Sequence, residues 1–209
     1  MQKRKQFAES KVKKMADILM VVAPKNFQDE ELFEPKEVFE LHGYDVTIAS
    51  EKTEVAVSKL GEEVDIDTDI HDVDVADFVA IVFVGGSGCV RYFDNAKALK
   101  LAKDACEQGK ITAAICIAPT ILANAGVLKG KRATSYETAR ASLEAKGAEW
   151  LEQDVVVDGN IVTANGPDAA RAFGEAIVKL LSGSKPEPEA RERHKEGEGR
   201  HRRKRRGLY

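Results

Sequence analysis

Short unbroken apolar runs alternate with stretches of helical spacing along most of this chain. Asp17-Ile18-Leu19-Met20-Val21-Val22-Ala23, Asp45 to Ser50, Ala80 to Val84 and Ile111 to Ile115 are runs of the kind found in strands buried on both faces. Between them, residues 28–41 place Leu32, Phe33, Val38, Phe39 and Leu41 at helical intervals, and His42-Gly43-Tyr44 supplies a glycine stop. A further helix is predicted from about Asn95 to Gln108, and another opens at Pro119, because proline suits the first helical turn. Val155 to Thr163 reads as a hairpin about Asp158-Gly159, and Gly166-Pro167-Asp168 opens a last helix through Leu181. Strands and helices in alternation predict an α/β fold with a mostly parallel sheet. In such sheets ligands sit beyond the carboxyl ends of the strands. The segments after Ala23, Val84 and Ile115 should therefore converge: Asn26 to Glu31, Gly85 to Gly88, and Cys116 to Pro119.

Cys116 carries the chemistry in this pattern. It lies at a sharp strand-to-helix turn, facing free backbone N–H groups and the positive end of a helix, both of which favour a thiolate. A buried structural cysteine is the competing reading, since free cysteine is among the most buried residue types. From the residues alone, the thiol is expected to ionise below the ordinary cysteine range of about 8.5.

Composition narrows the classes. The chain has 209 residues, enough for one domain, and 43% are hydrophobic, enough for a substantial core. Its three cysteines, 89, 106 and 116, make no disulfide framework and fit a reducing compartment. No secretory signal is apparent, and no run approaches the ~20 apolar residues that span a bilayer. A cytoplasmic protein without membrane contact is expected. Charge is uneven. Residues 1–14 and 182–209 each carry a net of +5; the whole chain carries −3, so the body from 15 to 181 carries −13. An acidic body argues against a nucleic-acid-binding fold. Residues 1–14 read as a basic disordered arm or an upstream-start extension. Residues 182–209 read as a disordered basic tail, whose weak contact with nucleic acid is less favoured than simple solvation.

Several local patterns have unremarkable explanations. Asp65-Ile66-Asp67-Thr68-Asp69-Ile70-His71-Asp72 is no calcium loop, because Ile70 stands where glycine is needed and Ala76 where a bidentate glutamate is needed. Gly85-Gly86-Ser87-Gly88 is not followed by the Gly-Lys-Ser/Thr of a phosphate-binding loop. Cys89 is a candidate second thiol near the mouth of the site, Cys106 a packing residue on a helix. No metal-ligand set is visible.

Gln28-Asp29-Glu30-Glu31-Leu32-Phe33-Glu34-Pro35, Val82-Phe83-Val84-Gly85-Gly86, Ala113-Ala114-Ile115-Cys116-Ile117-Ala118-Pro119, Gly126-Val127-Leu128-Lys129-Gly130-Lys131 and Asn165-Gly166-Pro167 together resemble the DJ-1/PfpI superfamily. The resemblance covers roughly residues 16–181 and keeps the family order of segments. It implies a flavodoxin-like three-layer sandwich of the class I glutamine amidotransferase-like type. It also implies a cysteine at a strained elbow with a carboxyl group beside it, no cofactor, and a homodimer or homohexamer. Cys116 matches the nucleophile and Glu31 the carboxylate, with Glu30 the alternative if the helix is rotated by one position. Gly85 and Gly86 match the loop of backbone amides, and the amides of Gly86 and Ile117 are candidate oxyanion donors. Ile117 departs from the protease-like branch, which has histidine after the nucleophile. Tyr136 stands where another branch has histidine, and is either a pocket residue that donates a hydrogen bond or a half-buried packing aromatic.

The chain's four histidines, 42, 71, 194 and 201, include no obvious base. A cysteine–histidine dyad for peptide hydrolysis is thereby disfavoured. The leading expectation is a cysteine enzyme acting on small reactive carbonyls, of glyoxalase III or deglycase type, with Cys116 adding to the carbonyl and Glu31 moving the proton. The alternatives are an intracellular cysteine peptidase of PfpI type and a non-enzymatic thiol redox sensor or holdase involved in stress response.

Overall fold

A computed structural model describes residues 17–183. The expectations for residues 1–14 and for all but the first two residues of 182–209 lie outside the described residues. The elements in chain order are β1 (Asp17–Val21), β2 (Lys25–Phe27), α1 (Asp29–Leu41), β3 (Asp45–Ser50), β4 (Val55–Ser58), β5 (Glu63–Asp65), β6 (Thr68–Asp69), β7 (Phe78–Phe83), α2 (Ala96–Glu107) and β8 (Ile111–Ile115). They continue with α3 (Pro119–Asn124), β9 (Arg132–Ala133), α4 (Arg140–Ala145), β10 (Glu149–Trp150), β11 (Val155–Asp158), β12 (Ile161–Ala164) and α5 (Ala170–Leu181).

Seven strands form the central sheet in the order β11-β12-β8-β7-β1-β3-β6. All neighbouring pairs run parallel except the β11–β12 hairpin. Successive side chains of β1 enter different layers. Leu19 and Val21 pack with α2, α3 and α4 on one face, Ile18 and Met20 with α1 and α5 on the other. The apolar runs are unbroken because both faces of these strands are covered. The result is the three-layer α/β sandwich expected from the alternation of elements. Two small sheets, β2-β4-β5 and β9-β10, flank it.

The acidic stretch before β7 becomes β5, β6 and a short 3₁₀ turn. Two of its carboxylates accept from backbone amides: Asp67 from Ile48, and Asp69 from Lys52 and His71, each at 2.8 Å. Among the described residues no group of three His, Cys, Asp or Glu side chains is placed to hold a metal ion. None of their helices is long and apolar enough to cross a membrane.

Candidate functional site

The first strand ends, at β1, β7 and β8, bring three loops together as the topology requires. β8 stops at Ile115, and Cys116 takes a left-handed conformation with φ of +64°. A non-glycine residue there carries strain of about 1–3 kcal/mol and needs surrounding structure to hold it. Two backbone hydrogen bonds do so. The Cys116 amide donates to Ala164 O at 2.9 Å, and its carbonyl accepts from the Tyr136 amide at 2.8 Å. The Ala118 amide then closes a turn on Ile115 O at 3.1 Å, and Pro119 opens α3. That helix has six residues, so its dipole is smaller than a full-length helix would offer. The amides of Gly86 and Ile117 face the thiol and favour its anion.

Glu31 comes from the first turn of α1 and is fully buried. Its carboxyl faces the Cys116 thiol and the Gly85 amide. Neither carboxyl oxygen has a partner at full hydrogen-bond geometry, so these approaches are loose and only weakly offset the loss of water. Burial is accordingly the dominant influence, and it pushes the Glu31 carboxyl up to about 7. Glu30 is turned elsewhere and accepts from Gln28 Nε2 at 2.6 Å. The structure thus brings Glu31, not Glu30, to the thiol.

Gly85 and Gly86 are fixed by space and by backbone. A Cβ on Gly85 would press on the Glu31 carboxyl and stand 2.7 Å from Cys116 Cβ and 2.8 Å from Ile115 O. Gly86 has φ of +87°, and a Cβ there would lie 2.5 Å from both Asn26 O and Gln28 N. Gly85→Ala should therefore separate the carboxyl from the thiol. We expect any thiol-dependent turnover to drop by about 10²-fold, the scale of an ångström-sized misplacement. Thermal unfolding should show a lowered midpoint in the same variant, and unchanged kinetics would mean that the close approach is unimportant.

The expectation of an acidic thiol is corrected by burial. Loss of water and the nearby Glu31 charge together push Cys116 up to about 12, against the pull of the Gly86 and Ile117 amides. Cys89 is corrected too. It is not at the mouth but fully buried, and burial beside Cys116 and Glu31 pushes its thiol up. Cys106 is half-buried and packs against the core under α2.

Tyr136 is half-exposed. Its backbone holds the elbow while its ring lines a cavity of about 520 Å³ shared with Thr134, Ser135, Glu137, Trp150, Glu152, Gln153, Asp154 and residues 165–168. Neither Cys116 nor Glu31 lines that cavity, which adjoins the elbow instead of containing it. Trp150 and the acids around it were not expected as site residues. The one signal for them in the sequence is a lone tryptophan set among Glu149, Glu152 and Asp154. The two described histidines lie away from the elbow. His42 Nδ1 is 2.8 Å from Val38 O, and His71 Nε2 is 3.6 Å from Glu51.

The model of the DJ-1/PfpI family matches residues 16–180. The chain belongs to the DJ-1/PfpI family. A family relative from Methanocaldococcus jannaschii is 46% identical over 171 residues, covering 80% of this chain and 83% of that protein. A Pyrococcus furiosus protein named deglycase PfpI is 37% identical over 163 residues, covering 78% of this chain and 98% of its own length. Among solved structures, a ThiJ/PfpI domain protein from Brachyspira murdochii superposes with a TM-score of 0.79 at 39% identity, covering 81% of this chain and 98% of that one. The flavodoxin-like sandwich inferred from the sequence is the fold of the DJ-1/PfpI family members it superposes on.

Proposed function

We propose that this chain is a cysteine enzyme acting on small reactive carbonyls, of glyoxalase III or deglycase type. The observation that carries the reading is the buried Glu31 carboxyl, pushed up to about 7 beside the Cys116 thiol. A carboxyl that titrates near neutrality both accepts and returns a proton at working pH. The deglycase name of the Pyrococcus furiosus relative supports the same chemistry.

For methylglyoxal the steps balance without an external oxidant. Glu31 takes the Cys116 proton as sulfur adds to the aldehyde carbon. The resulting alkoxide is stabilised by the Gly86 and Ile117 amides and protonated to a hemithioacetal. The Glu31 carboxylate then removes the C1 proton, and C2 is protonated in turn. The aldehyde carbon is oxidised to a thioester while the neighbouring ketone is reduced to an alcohol. Water cleaves the thioester, releasing lactate and restoring the thiol. With Ile117 in place of histidine, no imidazole stands at the elbow among the described residues to protonate a leaving amine, which disfavours the peptidase reading.

Two results test this. Lactate should form from methylglyoxal with wild-type protein and stop at the buffer rate in Cys116→Ser; no lactate from wild type would favour a thiol sensor or holdase. In addition, the base form of Glu31 is required, so kcat/KM should rise about tenfold per pH unit below about 7 and level off above it. A profile that instead tracks thiol ionisation far into the alkaline range would remove Glu31 from the proton path.

A further inference from the structure

Of the two amides that face the thiol, Ile117 belongs to the elbow itself, whereas Gly86 arrives on the loop between β7 and α2. The aim of the Gly86 amide therefore depends on what fixes that loop. Glycine has no side chain with which to anchor its own position. The segment that follows, Ser87–Tyr92, is a 3₁₀ turn closed on Gly86 by the Cys89 amide, which donates to Gly86 O at 3.1 Å. A turn this short, with Cys89 and Tyr92 fully buried, passes a shift at its far end back to Gly86.

The far end is clamped at two points, both on strand ends outside the elbow. The Tyr92 hydroxyl donates to Val22 O at 2.9 Å, just past β1, and shares that carbonyl with Ser50 Oγ at 2.8 Å. Its neighbour Arg91 donates from Nη2 and Nε to Glu51 Oε2 at 2.7 and 3.2 Å. Glu51 lies directly after β3, and its side chain is only 14% exposed, so the pair is better shielded from water than an ordinary surface ion pair. The other Glu51 oxygen is approached by Asn95 Nδ2 at 3.5 Å and by His71 Nε2 at 3.6 Å. Asn95 in turn caps α2, its Oδ1 accepting from the amides of Lys97 and Ala98 at 3.0 Å each. The backbone beside Glu51 is pinned as well: Lys52 is left-handed, with φ of +53°, and its amide donates to Asp69. One carboxylate thus joins the end of β3, the turn after β6 and the loop that carries Gly86.

We propose that Glu51, by gripping Arg91 and Asn95, is a positioning residue that holds the β7–α2 loop so that the Gly86 amide points at the Cys116 sulfur and at the alkoxide formed beside it. The link to turnover rests on the carbonyl chemistry proposed above; the effect on the thiol does not.

Alkylation of Cys116 by iodoacetamide at about pH 9, read by mass on the Cys116 peptide, tests the claim without any turnover. Glu51→Ala should slow it about tenfold, because the thiolate loses the alignment of a charge-assisted hydrogen bond. Arg91→Met should act in the same direction, and the double variant should be no slower than Glu51→Ala, since both residues act through one contact. Glu51→Gln keeps an acceptor and should fall between Glu51→Ala and wild type. Lys100→Met, which removes the surface pair with Asp104, is the control and should alkylate at the wild-type rate. With methylglyoxal, Glu51→Ala should lower kcat about tenfold and leave KM within about twofold, because an oxyanion donor acts in the transition state. Should Glu51→Ala fail to fold by circular dichroism, Arg91→Met and Glu51→Gln carry the same test. Folded Glu51 and Arg91 variants whose unfolding midpoint is lowered, but whose Cys116 alkylates at the wild-type rate, would make the pair merely structural and overturn the proposal. Slowed alkylation together with no lactate from the wild-type protein would uphold the clamp and sink the carbonyl chemistry instead.

Discussion

Glu31→Gln should lower turnover of 2-oxoaldehydes by about 10²–10⁴-fold, the range associated with a positioned acid–base group. Glutamine fills the same buried space and keeps a donor beside the thiol, but it cannot carry a proton between C1 and C2. Glu30→Gln should have little effect, because Glu30 is occupied by Gln28 and points away from the elbow. A second readout follows from the same substitution. The Glu31 charge is one of the influences that hold the Cys116 thiol high, and its removal leaves the Gly86 and Ile117 amides less opposed. Thiolate absorbance in Glu31→Gln should therefore appear at lower pH than in wild type. The variant would have a more acidic thiol and yet be the poorer catalyst. Equal losses in the Glu30 and Glu31 variants, or a thiol that titrates unchanged, would show that the carboxyl and sulfur are not coupled.

What the sequence revealed and what it hid have physical reasons. The sheet was legible because strands covered on both faces cannot alternate, so β1, β7 and β8 stand out as unbroken apolar runs. The elbow was legible because a cysteine three residues before a helix-opening proline leaves the chain room only for a sharp turn. Glu31 was legible through its motif, while the structure supplied what the motif leaves open, namely which of two adjacent acids faces inward. The thiol's ionisation was misjudged because amide donors can be inferred from a turn, whereas loss of water depends on layers packed from distant segments. Cys89 was misplaced for a similar reason: adjacency to the glycine loop in sequence says nothing about the side of the chain on which the sulfur lies. The cavity was hidden most completely. Its residues come from the segment after β9, from β10 and the turn that follows, and from the turn after β12, and only the fold places Trp150 and Asp168 on the same walls.

The same buried carboxyl should make the protein less stable than it needs to be, and Glu31→Gln should show by how much. The folded value of about 7 lies above the ordinary 4.5. A group whose folded value is raised contributes its stability in full below the unfolded value, and that contribution is lost as pH rises through the folded value. Below about pH 4.5 the carboxyl is neutral whether folded or unfolded, and Glu31→Gln should change little. Between 4.5 and 7 the wild-type protein must increasingly either keep a proton that the unfolded chain releases or bury a charge. Above about 7 the full difference applies, on the order of 3 kcal/mol for a shift of this size. The thiol, held near 12, stays neutral throughout this window and does not offset it. For a domain of this length, the variant should unfold about 6–12 °C above wild type at pH 8, with the gap closing on acidification. Thermal scans of the two proteins between pH 4.5 and 8 make the comparison. A gap that does not change with pH would mean that Glu31 reaches water or a firm hydrogen-bond partner. A gap that grows with pH, set beside the loss of turnover, would show that the fold holds this acid at the elbow for its proton and not for its contribution to stability.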